Sequence, residues 1–169
     1  MTLGAWYAQG TRDAYDELNL YAEYGVAWKG FEFYAGYTRL EFIIDDAFDH
    51  EFGAGVASPS WGPWTLGVDY VYSTEADGAF VEAGLEGAFP LLEERVVLVP
   101  ALVEGVDFGY ASPEYDGPNH LEARLTAIVP VSDDVELSAY LAHSWGQGDV
   151  DRDGGKDLTW GGMGAAWTF

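Results

Sequence analysis

The feature that most constrains this chain is a two-residue alternation of apolar and polar side chains, repeated in segments of roughly ten residues. In the clearest segment the apolar positions are Leu18, Leu20, Ala22, Tyr24, Val26 and Trp28. A period of two is typical of β-strands whose two faces meet different surroundings. The dipeptide Lys29-Gly30 then predicts a two-residue hairpin turn, which pairs Trp28 with Phe31 and keeps the apolar face continuous.

Ten such segments follow one another, and no linker or change in composition divides them. We therefore predict a single domain over residues 1–169, an all-β, ten-stranded, up-and-down antiparallel β-barrel. The registers of residues 1–11 and 96–110 are ambiguous, which allows eight or twelve strands. Within the second range we place Glu104 on the polar face and Asp107 on the apolar face.

The connections predicted between these strands alternate in character. The long acidic ones are 12–17, 43–49, 73–78, 109–119 and 146–157, and the shorter ones are 29–30, 59–63, 90–95 and 130–134. Long loops at one end and short turns at the other are typical of β-barrels that cross a membrane.

Composition narrows the function classes. Seven lysines and arginines oppose 29 aspartates and glutamates, which gives a formal net charge of −22. Hydrophobic residues still make up 49% of the chain and aromatic residues 16%, which excludes a disordered acidic tail. With so few basic residues the chain has no basic surface that could neutralise phosphates, so we predict no nucleic-acid partner. The lack of cysteine excludes disulfides, a thiol nucleophile and a cysteine metal site.

The distribution of charged and aromatic residues indicates that the apolar face meets lipid. The two lysines, Lys29 and Lys156, lie outside the predicted strands, and no acid interrupts the middle of the apolar face. Aromatic side chains gather at the ends of that face, as in interfacial girdles. A transmembrane helix is excluded, because Pro59, Pro63 and several glycines break the best charge-free stretch. We therefore predict a transmembrane β-barrel whose partner is a lipid bilayer or detergent.

The polar face predicts an acid-lined lumen. Its charged residues are Glu23, Glu32, Glu51, Asp69, Glu82, Glu86, Glu122, Arg124 and Glu136. Rings of acids select cations, so one interpretation is a narrow pore for small cations or small neutral solutes. The other is a closed structural barrel with a wet interior, in which the inward Tyr21, Tyr34 and Tyr140 block passage. The sequence leaves both interpretations open.

A second acidic motif lies in the connection 146–157. Asp149, Asp151 and Asp153 alternate before a glycine, and Asp157 follows. Carboxylates at alternate positions with a glycine for a sharp turn resemble the start of a calcium-binding loop. Trp160 stands where an EF-hand has its bidentate glutamate, and no flanking helices are predicted, so a flexible acidic loop is the alternative. Ca²⁺ is therefore the one candidate cofactor.

The chain ends in Gly164-Ala165-Ala166-Trp167-Thr168-Phe169, a glycine followed by two aromatic residues of which the last is Phe. This segment, together with the strand pattern, resembles small Gram-negative outer-membrane β-barrels of the porin-like kind. The resemblance implies that Gly164, Trp167 and Phe169 form a signal for the barrel-assembly machinery and that the protein lies in the bacterial outer membrane. No signal-peptide pattern precedes Trp6 in this sequence.

Two other classes of protein, a soluble β-barrel and an enzyme, would require different sequence features. A soluble lipocalin-like β-barrel shows the same alternation with its faces exchanged, and it would bind an apolar ligand inside; it stays as the alternative. An enzyme is not predicted. His143 and Ser144 are adjacent in a strand and so point to opposite faces, and the acidic run before His50 contains no Asp-x-His pair.

Overall fold

The computed structural model describes residues 1–10 and 15–168, and over these ranges the chain is all-β. The strands are Thr2–Gln9 (β1), Asp16–Trp28 (β2), Phe31–Phe42 (β3), Ala47–Ala57 (β4), Trp64–Ser73 (β5), Gly78–Gly87 (β6), Phe89–Leu91 (β7), Val96–Phe108 (β8), Asp116–Pro130 (β9), Val135–Gly146 (β10) and Leu158–Trp167 (β11). A short helix, Gly148–Arg152 (α1), lies between β10 and β11. No helix in the described ranges is long and apolar enough to span a membrane. Phe169, the last residue of the predicted assembly signal, lies outside the described residues, as does part of the connection 12–17.

The strands form one antiparallel, up-and-down sheet of 11 strands. Its path runs through β1 to β6 and then β8 to β11, while β7 lies off this path and pairs with β8. The prediction of an all-β, up-and-down antiparallel fold is confirmed, and β7 is an eleventh strand that we did not predict. The sheet is not closed into a barrel: β1 and β11 lie at its two ends, and within the described residues no pairing joins them.

The hairpin between β2 and β3 is confirmed in detail. Trp28 pairs with Phe31, and both turn residues have positive φ, 51° at Lys29 and 82° at Gly30. Two successive left-handed residues make a turn whose twist matches that of the strands, and glycine adopts this conformation without a Cβ clash. The apolar faces of β2 and β3 therefore lie side by side, as predicted.

The sheet curls toward its polar face. Glu82 of β6 and Trp160 of β11 line the same cavity, although three strands lie between β6 and β11 in the sheet. We call the polar face the concave face and the apolar face the convex face. Exposed large side chains on the convex face include Leu20, Val26, Phe52, Val68, Leu102, Leu125, Leu141 and Met163. Among the hydrophobic residues that the structure describes, only Leu40 and Ala142 are buried, so the sheet has almost no apolar core.

The register of β8 corrects two predictions. Glu104 pairs with Ala83 and Leu121, which belong to the convex face, whereas Asp107 pairs with Phe80 on the concave face. The faces predicted for Glu104 and Asp107 are therefore both wrong. Valine and leucine occupy both faces of β8, so no alternation fixes its register, and the pairing with β6 and β9 decides it.

Strand β4 begins earlier than predicted. The connection expected at 43–49 covers only 43–46, because β4 already begins at Ala47. Asp49 is buried, and its carboxylate accepts hydrogen bonds from Ser73 Oγ at 2.5 Å and from the backbone N–H of Glu75 at 3.1 Å. An acidic residue near a strand end resembles a solvent-exposed loop residue in sequence, but this one binds the donors of a neighbouring turn.

The connection after β8 folds back over the concave face. Asp107 is fully buried and accepts hydrogen bonds from the backbone N–H groups of Tyr110 at 2.7 Å and Ser112 at 2.8 Å. Tyr110 donates its hydroxyl proton to Glu51 of β4, and burial, followed by this bond, raises the pKa of Tyr110. A Cβ on Gly78 would lie 2.5 Å from the backbone N of Tyr110, so only glycine fits where the connection crosses β6. The connection therefore reaches across one end of the concave face.

Candidate functional site

The charged residues predicted to line a lumen share the concave face of the sheet. By strand pairing they are Glu23, Glu32, Glu51, Asp69, Glu82, Glu86, Glu122, Arg124 and Glu136. Four of them line one cavity of about 370 Å³ between β2 and β6, namely Glu23, Glu51, Asp69 and Glu82. We call this cavity the acid groove.

Three further cavities continue the acid groove along the concave face. Their volumes range from about 290 to 400 Å³, and the predicted residues that line them include Glu32, Glu86, Glu122 and Arg124. They adjoin the acid groove because each of them is also lined by Asp69 or Glu82. Glu136 lies farther along the same face, where it pairs with Ala166. The structure thus brings most of the predicted set together along one continuous depression.

A row of side chains crosses four strands within the acid groove. Tyr34, Gly55, Asp69 and Glu82 are successive cross-strand partners from β3 to β6. Tyr34 reaches over Gly55 and donates a hydrogen bond from its hydroxyl to Asp69 Oδ1 at 2.7 Å. Because Asp69 and Glu82 are direct neighbours, their carboxylates concentrate negative charge at this level of the groove.

The other two tyrosines predicted to face inward also lie against the sheet. A Cβ added to Gly4 would lie 2.7 Å from Cε1 of Tyr21, and a Cβ added to Gly162 would lie 2.7 Å from Cε1 of Tyr140. Each ring therefore rests on a glycine of the neighbouring strand instead of projecting from the concave face. Sequence alone predicted these residues on the correct face, but it did not predict that glycines would hold their rings flat.

His120 is a concave-face residue that we did not predict. Its ring stacks on Phe80 with the centroids 6.1 Å apart, and its Nε2 lies 3.7 Å from Glu82 Oε1. Farther along β9, Arg124 Nε lies 3.5 Å from Glu122 Oε1. Both basic side chains on this strand therefore stand beside a carboxylate. The even spacing of His120 from Glu122 and Arg124 is the sequence signal that could have found it.

The four aspartates of the predicted calcium loop do not converge. Asp149 is buried and accepts a hydrogen bond from the side chain of Asn119 at 2.7 Å. Asp151 lies in α1, Asp153 caps its C-terminus, and Asp157 accepts a hydrogen bond from the last backbone N–H of β10 at 3.1 Å. Across residues 1–10 and 15–168, no three His, Asp or Glu side chains are grouped so that they could hold a metal ion. The helical turn sends successive carboxylates in different directions, so Ca²⁺ binding stays a prediction without geometric support.

The described part of the predicted assembly signal lies on both faces of β11. Gly164 pairs with Ser138 on the concave face, and Trp167 pairs with Val135 on the convex face. An aromatic residue on the convex face is reachable from outside the sheet. Recognition by the assembly machinery stays a prediction.

A polar cluster stands on the convex face where β3 and β4 meet the connection 43–46. Arg39 lies over the ring of Phe48 at 4.8 Å and forms an ion pair with Glu41. The Tyr37 hydroxyl and His50 Nδ1 are joined by a hydrogen bond of 2.7 Å. These charged and polar groups interrupt the apolar surface of the convex face at this end of β3 and β4.

No protein-family model matches this chain, and a search of curated proteins finds no match either. The acid groove and the apolar convex face are therefore the observations on which a function must rest.

Proposed function

We propose that this chain is a transmembrane β-barrel of the bacterial outer membrane that conducts small cations through an acid-lined lumen. The observation that carries the proposal is the arrangement of the two faces: large apolar side chains cover the convex face, and carboxylates line the concave face. Soluble proteins bury the apolar side chains and expose the charged ones. A barrel in a membrane has the arrangement found here.

The convex face suits hydrocarbon better than water. Val68 and Leu102, which lie within β5 and β8, are 37% and 46% exposed. Removing apolar surface from water stabilises a protein by about 25 cal/mol per Å². Exposed apolar patches larger than a few hundred Å² mark sites where a membrane or another protein binds. Because the apolar positions recur on strand after strand, they form a band around the sheet, which is the surface that lipid requires.

In the membrane we propose that β1 and β11 pair and close the sheet. Unpaired backbone N–H and C=O groups cost several kcal/mol each in hydrocarbon, so two open edges are not tolerated there. The path holds an even number of strands that alternate in direction, which makes β1 and β11 antiparallel to each other. On both strands the even-numbered residues lie on the concave face, for example Gly4 and Gly162. Pairing β1 with β11 can therefore place the concave faces of the two strands on the same side of the sheet. The predicted signal at the C-terminus makes the barrel-assembly machinery the expected partner for this step.

Cation preference follows from the charge of the acid groove. Its four carboxylates attract cations, and low-dielectric walls focus their field. Small neutral solutes would pass the same opening without this preference. The tyrosine rings that lie against the sheet leave the groove open, which favours a conducting lumen over a closed structural barrel.

Single-channel recording in planar lipid bilayers tests the proposed pore. Under a KCl gradient the reversal potential should indicate cation preference, and the pair Asp69→Asn and Glu82→Gln should reduce that preference severalfold. The matched control neutralises Asp45 and Asp46, two acids of the connection 43–46 that lie outside the acid groove. The proposal fails if the wild-type protein forms no channel or prefers anions.

The alternative, a soluble barrel that binds an apolar ligand, predicts the opposite behaviour in buffer. We expect the protein to aggregate without detergent, because water then meets the whole convex face, and to become monodisperse once detergent covers it. Sedimentation velocity with and without detergent measures the difference. A stable monomer in plain buffer would exclude the membrane proposal.

A further inference from the structure

We infer that Gly55 keeps the lumen open, because it provides the niche in which the ring of Tyr34 lies flat, and that Tyr34 in turn positions Asp69. The inference rests on the proposed function, since it concerns whether the same lumen conducts. It assigns a role to two uncharged residues that no charge pattern singles out.

The niche is defined by the space above Gly55. A Cβ at this position would lie 2.8 Å from Cζ of Tyr34, and nearer still to Cε1 of Tyr34 and to Oδ1 of Asp69. Non-bonded carbon atoms pack at about 3.5–4.0 Å, so even alanine cannot occupy this position while Tyr34 stays in place. Gly55 is also the direct cross-strand partner of both Tyr34 and Asp69, so the contact is a consequence of the sheet register.

A side chain at position 55 would drive the ring into the open space. The backbone of β4 lies beneath the ring, which leaves the acid groove as the direction in which Tyr34 can move. Tyr34 lines both the acid groove and the adjoining cavity of about 390 Å³. A ring that leaves the wall therefore enters the space that the proposed cations cross.

The same ring fixes a carboxylate. Tyr34 donates its hydroxyl proton to Asp69 Oδ1 at 2.7 Å, which holds Asp69 against the wall beside Glu82. When the ring moves away, Asp69 loses this donor and its fixed position. Tyr34 is thus a positioning residue for a groove carboxylate, and its removal should change ion preference as well as conductance.

The matched comparison is Gly55→Ala against Gly53→Ala. Both glycines lie on β4 and on the same face, but a Cβ on Gly53 would lie 3.9 Å from Cε2 of Tyr34 and 3.7 Å from the carbonyl oxygen of Tyr70, which are ordinary contacts. We expect Gly55→Ala to lower single-channel conductance on the order of tenfold, because a ring then crosses a narrow lumen, and Gly53→Ala to leave it near the wild-type value. The double variant Gly55→Ala with Tyr34→Ala should restore conductance.

The variant Tyr34→Phe separates positioning from obstruction. It keeps the ring in its niche but removes the donor to Asp69, so cation preference in the reversal potential should fall while conductance falls less than in Gly55→Ala. If Gly55→Ala does not fold, as judged by circular dichroism in detergent, recovery of folding in the double variant supports the niche, and its failure overturns it.

The outcomes distinguish a failure of this inference from a failure of the proposed pore function. A wild-type protein without channels contradicts the proposed function. A wild-type protein that conducts, with Gly55→Ala indistinguishable from Gly53→Ala, contradicts only the inference. Loss of conductance in Gly55→Ala that is not restored by Tyr34→Ala also contradicts it, because the ring is then not the obstruction.

Discussion

Val68→Arg is expected to lower the free energy of unfolding in a lipid bilayer by about 2–4 kcal/mol, the cost of an arginine near the bilayer midplane. Val68 lies in the middle of β5 on the convex face, and its cross-strand partners are Val56 and Ala83. Neither partner offers a carboxylate or a hydrogen-bond acceptor on its side chain. The guanidinium must therefore reach the headgroups or stay desolvated in hydrocarbon.

The matched control is Val71→Arg, which changes the same residue type on the same strand but on the opposite face. Val71 lines the acid groove together with Glu51 and Glu82. An arginine there meets carboxylates and water, so we expect little change in stability. Guanidinium chloride titrations of the proteins folded into lipid vesicles measure the free energy of unfolding of the wild type and of both variants. If Val68→Arg is as stable as Val71→Arg, the convex face does not meet hydrocarbon.

The strand order and the two faces were predictable because the polarity of each side chain matches the surroundings on its own side of the sheet. In β2 and β3, Leu, Tyr and Trp alternate with Glu and Gly, and the turn residues Lys29-Gly30 fix the pairing. The same alternation placed all nine predicted lumen residues on one face. In β8 the signal disappears, since apolar residues occupy both faces and only the neighbouring strands determine which side Glu104 takes.

The contacts within the acid groove were not predictable, since they depend on the register of several strands at once. Tyr34, Gly55 and Asp69 belong to three strands, and nothing local in the sequence links them. The roles of buried acids were hidden for a different reason. In the sequence, Asp49 and Asp149 resemble loop residues or metal ligands. The structure shows that both carboxylates accept hydrogen bonds from protein donors, which the sequence does not distinguish from contact with solvent.

A second large effect is expected at the two edges of the sheet. With Ala5→Cys on β1 and Met163→Cys on β11, an added thiol oxidant should form an intramolecular disulfide in most molecules once the protein is in a bilayer. Both positions lie on the convex face, because they pair with Leu20 and Ala139. Cross-strand partners lie about 4.5–5.5 Å apart between Cα atoms, within the range that a disulfide requires. The sequence has no cysteine, so no other thiol competes.

Closure fixes one register, so Leu3→Cys and Tyr7→Cys, the adjacent convex positions of β1, are each combined with Met163→Cys as well. The control combines Ala5→Cys with Leu102→Cys, since β8 lies away from both edges in the sheet. Altered migration of the non-reduced protein on denaturing gels detects the bond. Disulfides between molecules would mean that a second copy fills the seam, and no intramolecular bond in any of the three pairs would contradict closure. Because a lumen requires the acid groove to be enclosed on all sides, a protein that fails this test should also fail to conduct.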